Sequence, residues 1–232
     1  MVLAVGPDAA VWFSRGDGQI GRVEPGGTVS SVPVLTPEGS PYGLCADLDQ
    51  TLWYTLPAAD RIGRITLGGR VEEFPVVTGS MPSLITAGPD GAVWFTLNQG
   101  NAIGRITPAG EVTSYSLPTA GAAPVGIHAG SEAVWFTEIG AGKIGRIFAD
   151  GRIEEFPLPD PSCRPHAIVV TADGGCWATL WAGGSIIRLD RDGRLVEETS
   201  FQPGAEPHGL ALASDGTLWV ALEVGSVAHL TG

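Results

Sequence analysis

Four short segments lie between residues 83 and 116: Ser83-Leu-Ile-Thr-Ala87, Ala92-Val-Trp-Phe-Thr96, Ala102-Ile-Gly-Arg-Ile-Thr107 and Glu111-Val-Thr-Ser-Tyr-Ser116. Each is rich in β-branched or aromatic residues. Turn residues such as Gly88-Pro-Asp-Gly91 separate them. This composition predicts four strands joined by tight turns. No stretch of the chain shows sustained helical periodicity with caps.

The unit repeats. A Trp preceded by an apolar residue recurs at Trp12, Trp53, Trp94, Trp135, Trp177 and Trp219, at spacings of 41, 41, 41, 42 and 42 residues. Behind it follow Ile20-Gly-Arg22, Ile62-Gly-Arg64, Ile103-Gly-Arg105, Ile144-Gly-Arg146 and the looser Ile186-Ile-Arg188. A period near 42 with four strands per unit predicts an all-β β-propeller of four-stranded antiparallel blades. Residues 1–232 are expected to form one propeller domain with six repeats visible. The chain opens on a first strand near Leu3-Ala-Val5 and ends after a third strand, Val227-Ala-His-Leu230, so 23 strands are expected.

Composition narrows the partners. Of 232 residues, 44% are hydrophobic, so a packed core is expected despite 34 Gly and 18 Pro. The net charge of −12, with no basic cluster, argues against nucleic acid and anionic membrane surfaces as partners. No apolar run is long enough to span a bilayer. Met1-Val-Leu-Ala-Val5 lacks the charged region and cleavage site of a signal peptide. Cys45, Cys163 and Cys176 are odd in number and widely spaced. They predict neither a disulfide scaffold nor a zinc site, and a reducing cytoplasm is the expected location. Nothing demands an oligomer, so a monomer is expected.

In a repeat protein the shared residues build the scaffold, and departures from the repeat mark function. A Pro followed by a variable residue precedes each first strand: Pro41-Tyr42, Pro82-Ser83, Pro124-Val125, Pro165-His166 and Pro207-His208. These variable residues are expected to ring one mouth of a central channel. Charge gathers in the last two units, as Arg164, His166, Glu206 and His208. The hairpin turning at Asp215-Gly216 sets Glu223 within a residue of opposite His208. Two Glu with an adjacent imidazole suit a hard divalent cation such as Mg²⁺. His208 suits a general base.

Other residues carry plainer expectations. The six repeated Trp should fill gaps between blades. The repeated Arg should be scaffold donors, and His229 should take that role in the last unit. His128 reads as structural. Glu72, Glu73, Glu138, Glu154 and Glu155 read as solvated faces. Trp181, outside the Trp series, reads either as a wall on which a ligand stacks or as simple packing.

At these residues the sequence resembles the streptogramin B lyases, also called virginiamycin B lyases. The resemblance covers nearly the whole chain. Its specific part is Arg164-Pro-His166, Glu206-Pro-His208 and Glu223, in the family's order and at closely similar spacing. It implies that His208 is the general base or acid, that Glu206 and Glu223 bind Mg²⁺, and that His166, with Trp181 and Arg164, meets the substrate. The implied reaction linearises a small-molecule cyclic depsipeptide antibiotic without water, by elimination at its threonyl ester. The family has seven blades where six repeats stand here, its first blade having no counterpart. Ala178-Thr-Leu180 replaces the family's Phe-Thr-Glu. Two rival readings stay open on the residues: a non-catalytic binding or scaffold propeller, and a metal-dependent propeller lactone hydrolase.

Overall fold

The computed structural model describes residues 2–6, 8–47, 49, 51–66 and 68–230. Among these, 23 strands form six antiparallel sheets, five of four strands and one of three. The chain is all-β, and its sheets are β-propeller blades, as the repeat predicts. Two short 3₁₀ turns, Pro37–Gly39 and Pro57–Ala59, are the helical segments among the described residues. Among the described residues no helix is long and apolar enough to cross a membrane. The chain divides into two compact units of three blades, one ending at Ser116 and the other beginning at Leu117.

In the first unit the blades run Leu3–Pro33, Leu44–Pro75 and Pro82–Ser116. One apolar cluster joins Trp12 and Ile20 to Leu44, Tyr54 and Leu56. A second joins Trp53 and Ile62 to Ile85, Phe95 and Ile106. The second unit repeats the scheme with blades Pro124–Pro157, Pro165–Ser200 and Pro207–Leu230. There Trp135 and Ile144 pack on Ile168, Ala178 and Ile187. In each case the core lies between consecutive blades, since one sheet cannot bury both of its faces alone.

The repeated motif follows from this packing. Ile20, Ile62, Ile103, Ile144 and Ile186 are fully buried. The Gly after each of the first four faces an aromatic ring on the second strand: Phe13, Tyr54, Phe95 or Phe136. A Cβ at any of these glycines would overlap that ring. The looser fifth motif has the same cause. Ile187 replaces Gly where its cross-strand partner is Ala178 instead of an aromatic. The Arg that follows lies over the Trp ring, at 5.5 Å for Arg22 on Trp12 and 5.2 Å for Arg146 on Trp135. In the first three blades an Asp from the preceding turn accepts the indole N–H, as Asp90 does from Trp94 at 2.9 Å.

Three expectations need correction. Trp219 is 45% exposed and Trp177 is half-buried, so the Trp series is core only through Trp135. Trp219 instead stacks on His229 at 5.2 Å, where His229 stands in the place of the repeated Arg, as expected. Glu73 and Glu155 are not solvated faces. Each accepts hydrogen bonds from the connector leading into or out of its blade, Glu73 from Leu35 and Thr36 and Glu155 from Thr119. Glu138 departs furthest: it is fully buried, and both carboxyl oxygens lack a hydrogen-bond partner. Its place belongs to Leu56, Leu97, Leu180 and Leu222 in other blades. Lys143, the nearest cation, is bound to Glu155 at 2.9 Å.

Two stability measurements check this reading. Gly104→Ile should cost at least about 1–3 kcal/mol by overpacking against Phe95. Gly104→Ile combined with Phe95→Ala should be more stable than the two single losses predict, and additivity would refute the pairing. Burial, with Glu155 adding and Lys143 opposing, pushes the Glu138 carboxyl up to about 8. The folded chain therefore holds a proton that the unfolded chain loses near the ordinary glutamate value of about 4.5. Stability from this group is present below that value and is lost as pH rises towards 8. Glu138→Leu should stabilise by a few kcal/mol, roughly 2 or more, at pH 9 and by much less at pH 4, read from denaturant midpoints. A pH-independent difference would contradict a buried acid.

Candidate active site

The entry to each first strand is shaped by the same local device. The residue before the Pro lies in the left-handed region: φ is 53° at Met81, 48° at Ala123, 51° at Arg164 and 46° at Glu206. This conformation is uncommon without glycine. In the last four blades the strand then begins at the Pro, and its pairing with the second strand slips within three residues. Pro165 pairs with Leu180 and Ile168 with Ala178; Pro207 pairs with Leu222 and Gly209 with Ala221. His166 and His208 sit in these irregular steps, where a bulge re-aims a side chain away from the regular alternation.

The slip also decides what stands opposite. The amide of Glu223 donates to the carbonyl of Glu206 at 3.2 Å, and that of Trp181 to the carbonyl of Arg164 at 3.1 Å. So Glu223 faces Glu206 directly, with His208 one step further in. The His208 Nε2 atom lies 3.9 Å from a carboxylate oxygen of Glu223, close enough for charge attraction but longer than a hydrogen bond. Both side chains are 44% exposed and open to a ligand.

The two imidazoles adjoin, with centroids 3.9 Å apart and planes tilted by 34°. His166 Nδ1 lies 3.4 Å from the His208 carbonyl oxygen. A carbonyl can only accept, so the proton of a neutral His166 belongs on Nδ1 and the Nε2 lone pair is left free. Burial first, then the charge of His208, pushes the His166 imidazole down to about 4. His166 is thus a neutral acceptor at physiological pH. Arg164 lies with its guanidinium 5.6 Å over the Trp181 ring. Trp181 is half-buried, and its indole N–H is buried without an acceptor.

All six residues singled out from the sequence, Arg164, His166, Trp181, Glu206, His208 and Glu223, fall in the second unit at the corresponding ends of its last two blades. They form two linked groups: Glu206, His208 and Glu223 with His166, and Arg164 with Trp181. His128, expected to be structural, accepts a backbone hydrogen bond from Val170 at 3.2 Å. Sequence alone does not single out Thr137 and Thr179. They look like ordinary members of the repeat, yet Thr137 donates to the His166 carbonyl at 2.8 Å and Thr179 to that of His208 at 3.3 Å. The available signal was a hydroxyl two residues past the Trp in five units: Ser14, Thr55, Thr96, Thr137 and Thr179.

No group of three His, Cys, Asp or Glu at metal-binding spacing occurs among the described residues. The donor set that does occur is two carboxylates on backbone-paired positions. That matches the habit of Mg²⁺, which takes one or two carboxylates and fills its other positions with water or substrate oxygen. Glu206 and Glu223 therefore fit such an ion.

The fold and site define an all-β propeller with an imidazole–carboxylate cluster at the ends of neighbouring first strands. The chain matches the Virginiamycin B lyase family over residues 1–230, and it belongs to that family. Among solved structures, a streptogramin B lyase is 40% identical, with a TM-score of 0.94 over 99% of this chain and 78% of that one. The virginiamycin B lyase of Staphylococcus aureus is also 40% identical, with a TM-score of 0.95 over 100% of this chain and 80% of that one. The same holds for a catalytically inactive histidine-to-alanine variant of that enzyme with quinupristin. A gluconolactonase from Xanthomonas campestris, 18% identical with a TM-score of 0.68 over 94% of this chain and 81% of that one, shares the fold. No curated protein sequence matches.

The tautomer assignment is directly measurable. Imidazole ¹⁵N spectra at pH 6 should show His166 neutral, with Nδ1 protonated and Nε2 bare, and its titration midpoint should fall near 4. A midpoint near the ordinary value of about 6.5 would overturn it.

Proposed function

We propose that this protein is a carbon–oxygen lyase that linearises streptogramin B-type cyclic depsipeptides by elimination at the threonyl ester, conferring resistance to them. The observation that carries this reading is the convergence of His208 with Glu206 and Glu223, beside a neutral His166. Membership of the virginiamycin B lyase family supports it. So does the S. aureus relative solved with quinupristin, in which loss of one histidine abolishes catalysis.

His208 acts as the base. It removes the Cα proton of the threonine whose side-chain oxygen forms the ring ester. The electron pair left on Cα forms the Cα–Cβ double bond, and the ester carboxylate leaves from Cβ with the C–O electrons. The product is a linear peptide bearing dehydrobutyrine and a free carboxylate, isomeric with the substrate. Glu223, 3.9 Å from Nε2, stabilises the imidazolium that forms. Glu206 and Glu223 would hold Mg²⁺, whose Lewis acidity would favour negative charge on a substrate carbonyl oxygen. The free Nε2 of His166 accepts a hydrogen bond from a substrate N–H. Trp181, with Arg164 stacked on it, walls the substrate's apolar rings.

Incubation of a type B streptogramin with the protein and Mg²⁺ in ¹⁸O-labelled water, followed by mass spectrometry, tests this. A linear product of unchanged mass is expected, and it should be lost with a chelator. His208→Ala should lower turnover by at least about 10²-fold. A mass gain of one labelled water would mean hydrolysis and would replace this reading with the lactone hydrolase. A well-folded protein that leaves the substrate intact and ignores His208→Ala would favour a binding propeller.

A further inference from the structure

The threonine two residues past the blade Trp makes the same pair of bonds in three blades. Thr55 Oγ1 accepts from the Gly43 amide at 2.8 Å and donates to the Ser83 carbonyl at 2.6 Å. Thr137 Oγ1 accepts from Gly126 at 2.8 Å and donates to the His166 carbonyl at 2.8 Å. Thr179 Oγ1 accepts from Ala167 at 2.8 Å and donates to the His208 carbonyl at 3.3 Å. Each hydroxyl is fully buried. One end satisfies an amide that the slipped register leaves without a ladder partner. The other end crosses to the next blade and fastens the residue after its Pro.

At Thr55 the fastened residue is Ser83, which takes no part in the chemistry. At Thr179 it is His208. The His208 carbonyl also faces His166 Nδ1, so one oxygen ties together both imidazoles and the neighbouring blade. In the last blade the place of this Thr is taken by Ala221, so His208 has its stitch only from Thr179. His208 itself lies at a register slip, where its own ladder constrains it least.

We propose that Thr179 is the positioning residue for His208: its hydroxyl anchors the bulged backbone that aims the imidazole, without touching substrate. The proposal rests on the lyase reading above for its kinetic consequence. A scaffold bond needed only for stability would matter equally in every blade. A positioning bond matters to turnover at this blade alone.

The test compares Thr179→Val, Thr179→Ser and Thr55→Val, with folding checked by thermal melts. Thr179→Val should lower kcat about tenfold with KM within about twofold, since a misaimed base is slow even with substrate bound. Thr179→Ser, which keeps the hydroxyl, should restore most of kcat. Thr55→Val loses the same two bonds and should keep wild-type kcat. If Thr179→Val does not fold, Thr179→Ala, the residue that the last blade already carries, replaces it. Equal kcat losses in Thr55→Val and Thr179→Val, or failure of Ser to rescue, would overturn the proposal. A second readout needs no turnover: ¹³C-carbonyl labelling of histidine. The His208 carbonyl resonance should move upfield in Thr179→Val and stay in place in Thr55→Val. If the wild type leaves streptogramins intact but this shift appears, the lyase reading fails and the anchoring stands. If turnover is present and the resonance does not move, the anchoring fails alone.

Discussion

A blade cannot fold by itself. Its second strand presents a Trp on one face and an aromatic on the other, and one twisted sheet covers neither completely. The structure depends on consecutive blades closing over these rings. Trp12, Trp53, Trp94 and Trp135 are buried almost completely, and Trp12, Trp53 and Trp135 lie in clusters shared with the next blade. The Gly of the Ile-Gly-Arg motif exists because the ring opposite needs the space of its Cβ. Where the ring is replaced by Ala178, the space goes to Ile187, and the core stays filled. Volume is conserved pairwise across the strands, as close packing requires.

This constraint sorts residues into two populations. The Trp, the Ile and the Gly are consumed by packing, and the Arg by the Trp ring beneath it. Left over are three positions per blade at one end: the left-handed residue before the Pro, the residue after it in the register slip, and the residue four past the Trp. None has to pack between blades. In the second and third blades they hold Ser40, Tyr42, Pro57, Met81, Ser83 and Asn98; in the last two they hold Arg164, His166, Trp181, Glu206, His208 and Glu223. The same backbone therefore carries either an inert rim or a cluster of titratable groups. The fold carries the left-handed residue at the last five blades, whether or not it does chemistry.

The strands and blades were legible because their signal is repeated six times, so any one weak motif is supported by five others. The site was legible as departures from that average. What the sequence did not reveal has physical causes. The register slip after Pro207 moves the partner of Glu223 from Pro207, beside His208, to Glu206, and regular antiparallel counting has no term for a bulge. Glu138 reads as a surface acid because glutamates usually are; the leucines at its place in other units were the signal of burial that the structure shows. Trp219 looks identical to its five counterparts in sequence, since exposure depends on what covers a residue. Thr179 is hidden by its own repetition: a hydroxyl present in five of the six units looks like scaffold even where the carbonyl it binds belongs to a special side chain.

The electrostatics of the cluster bear on which chemistry it can perform. An acyl-transfer enzyme needs an activated nucleophile beside its base. The thiol nearest in sequence is Cys163, directly before Arg164, and it is buried, with its pKa pushed up to about 11 by burial and by the charge of Asp160. It remains a protonated thiol at physiological pH and cannot serve. The imidazoles divide the remaining work. His166 is held neutral by burial and by its neighbour, so it offers a lone pair but resists taking a full proton. His208 is more open and lies 3.9 Å from a carboxylate oxygen of Glu223, and the proposed base is assigned to it on that geometry. An open imidazole, a neutral hydrogen-bond acceptor and two carboxylates are the groups that the proposed proton transfer from carbon would use. None of these side chains is a nucleophile placed beside the base, which supports the proposed elimination over acyl transfer to the protein.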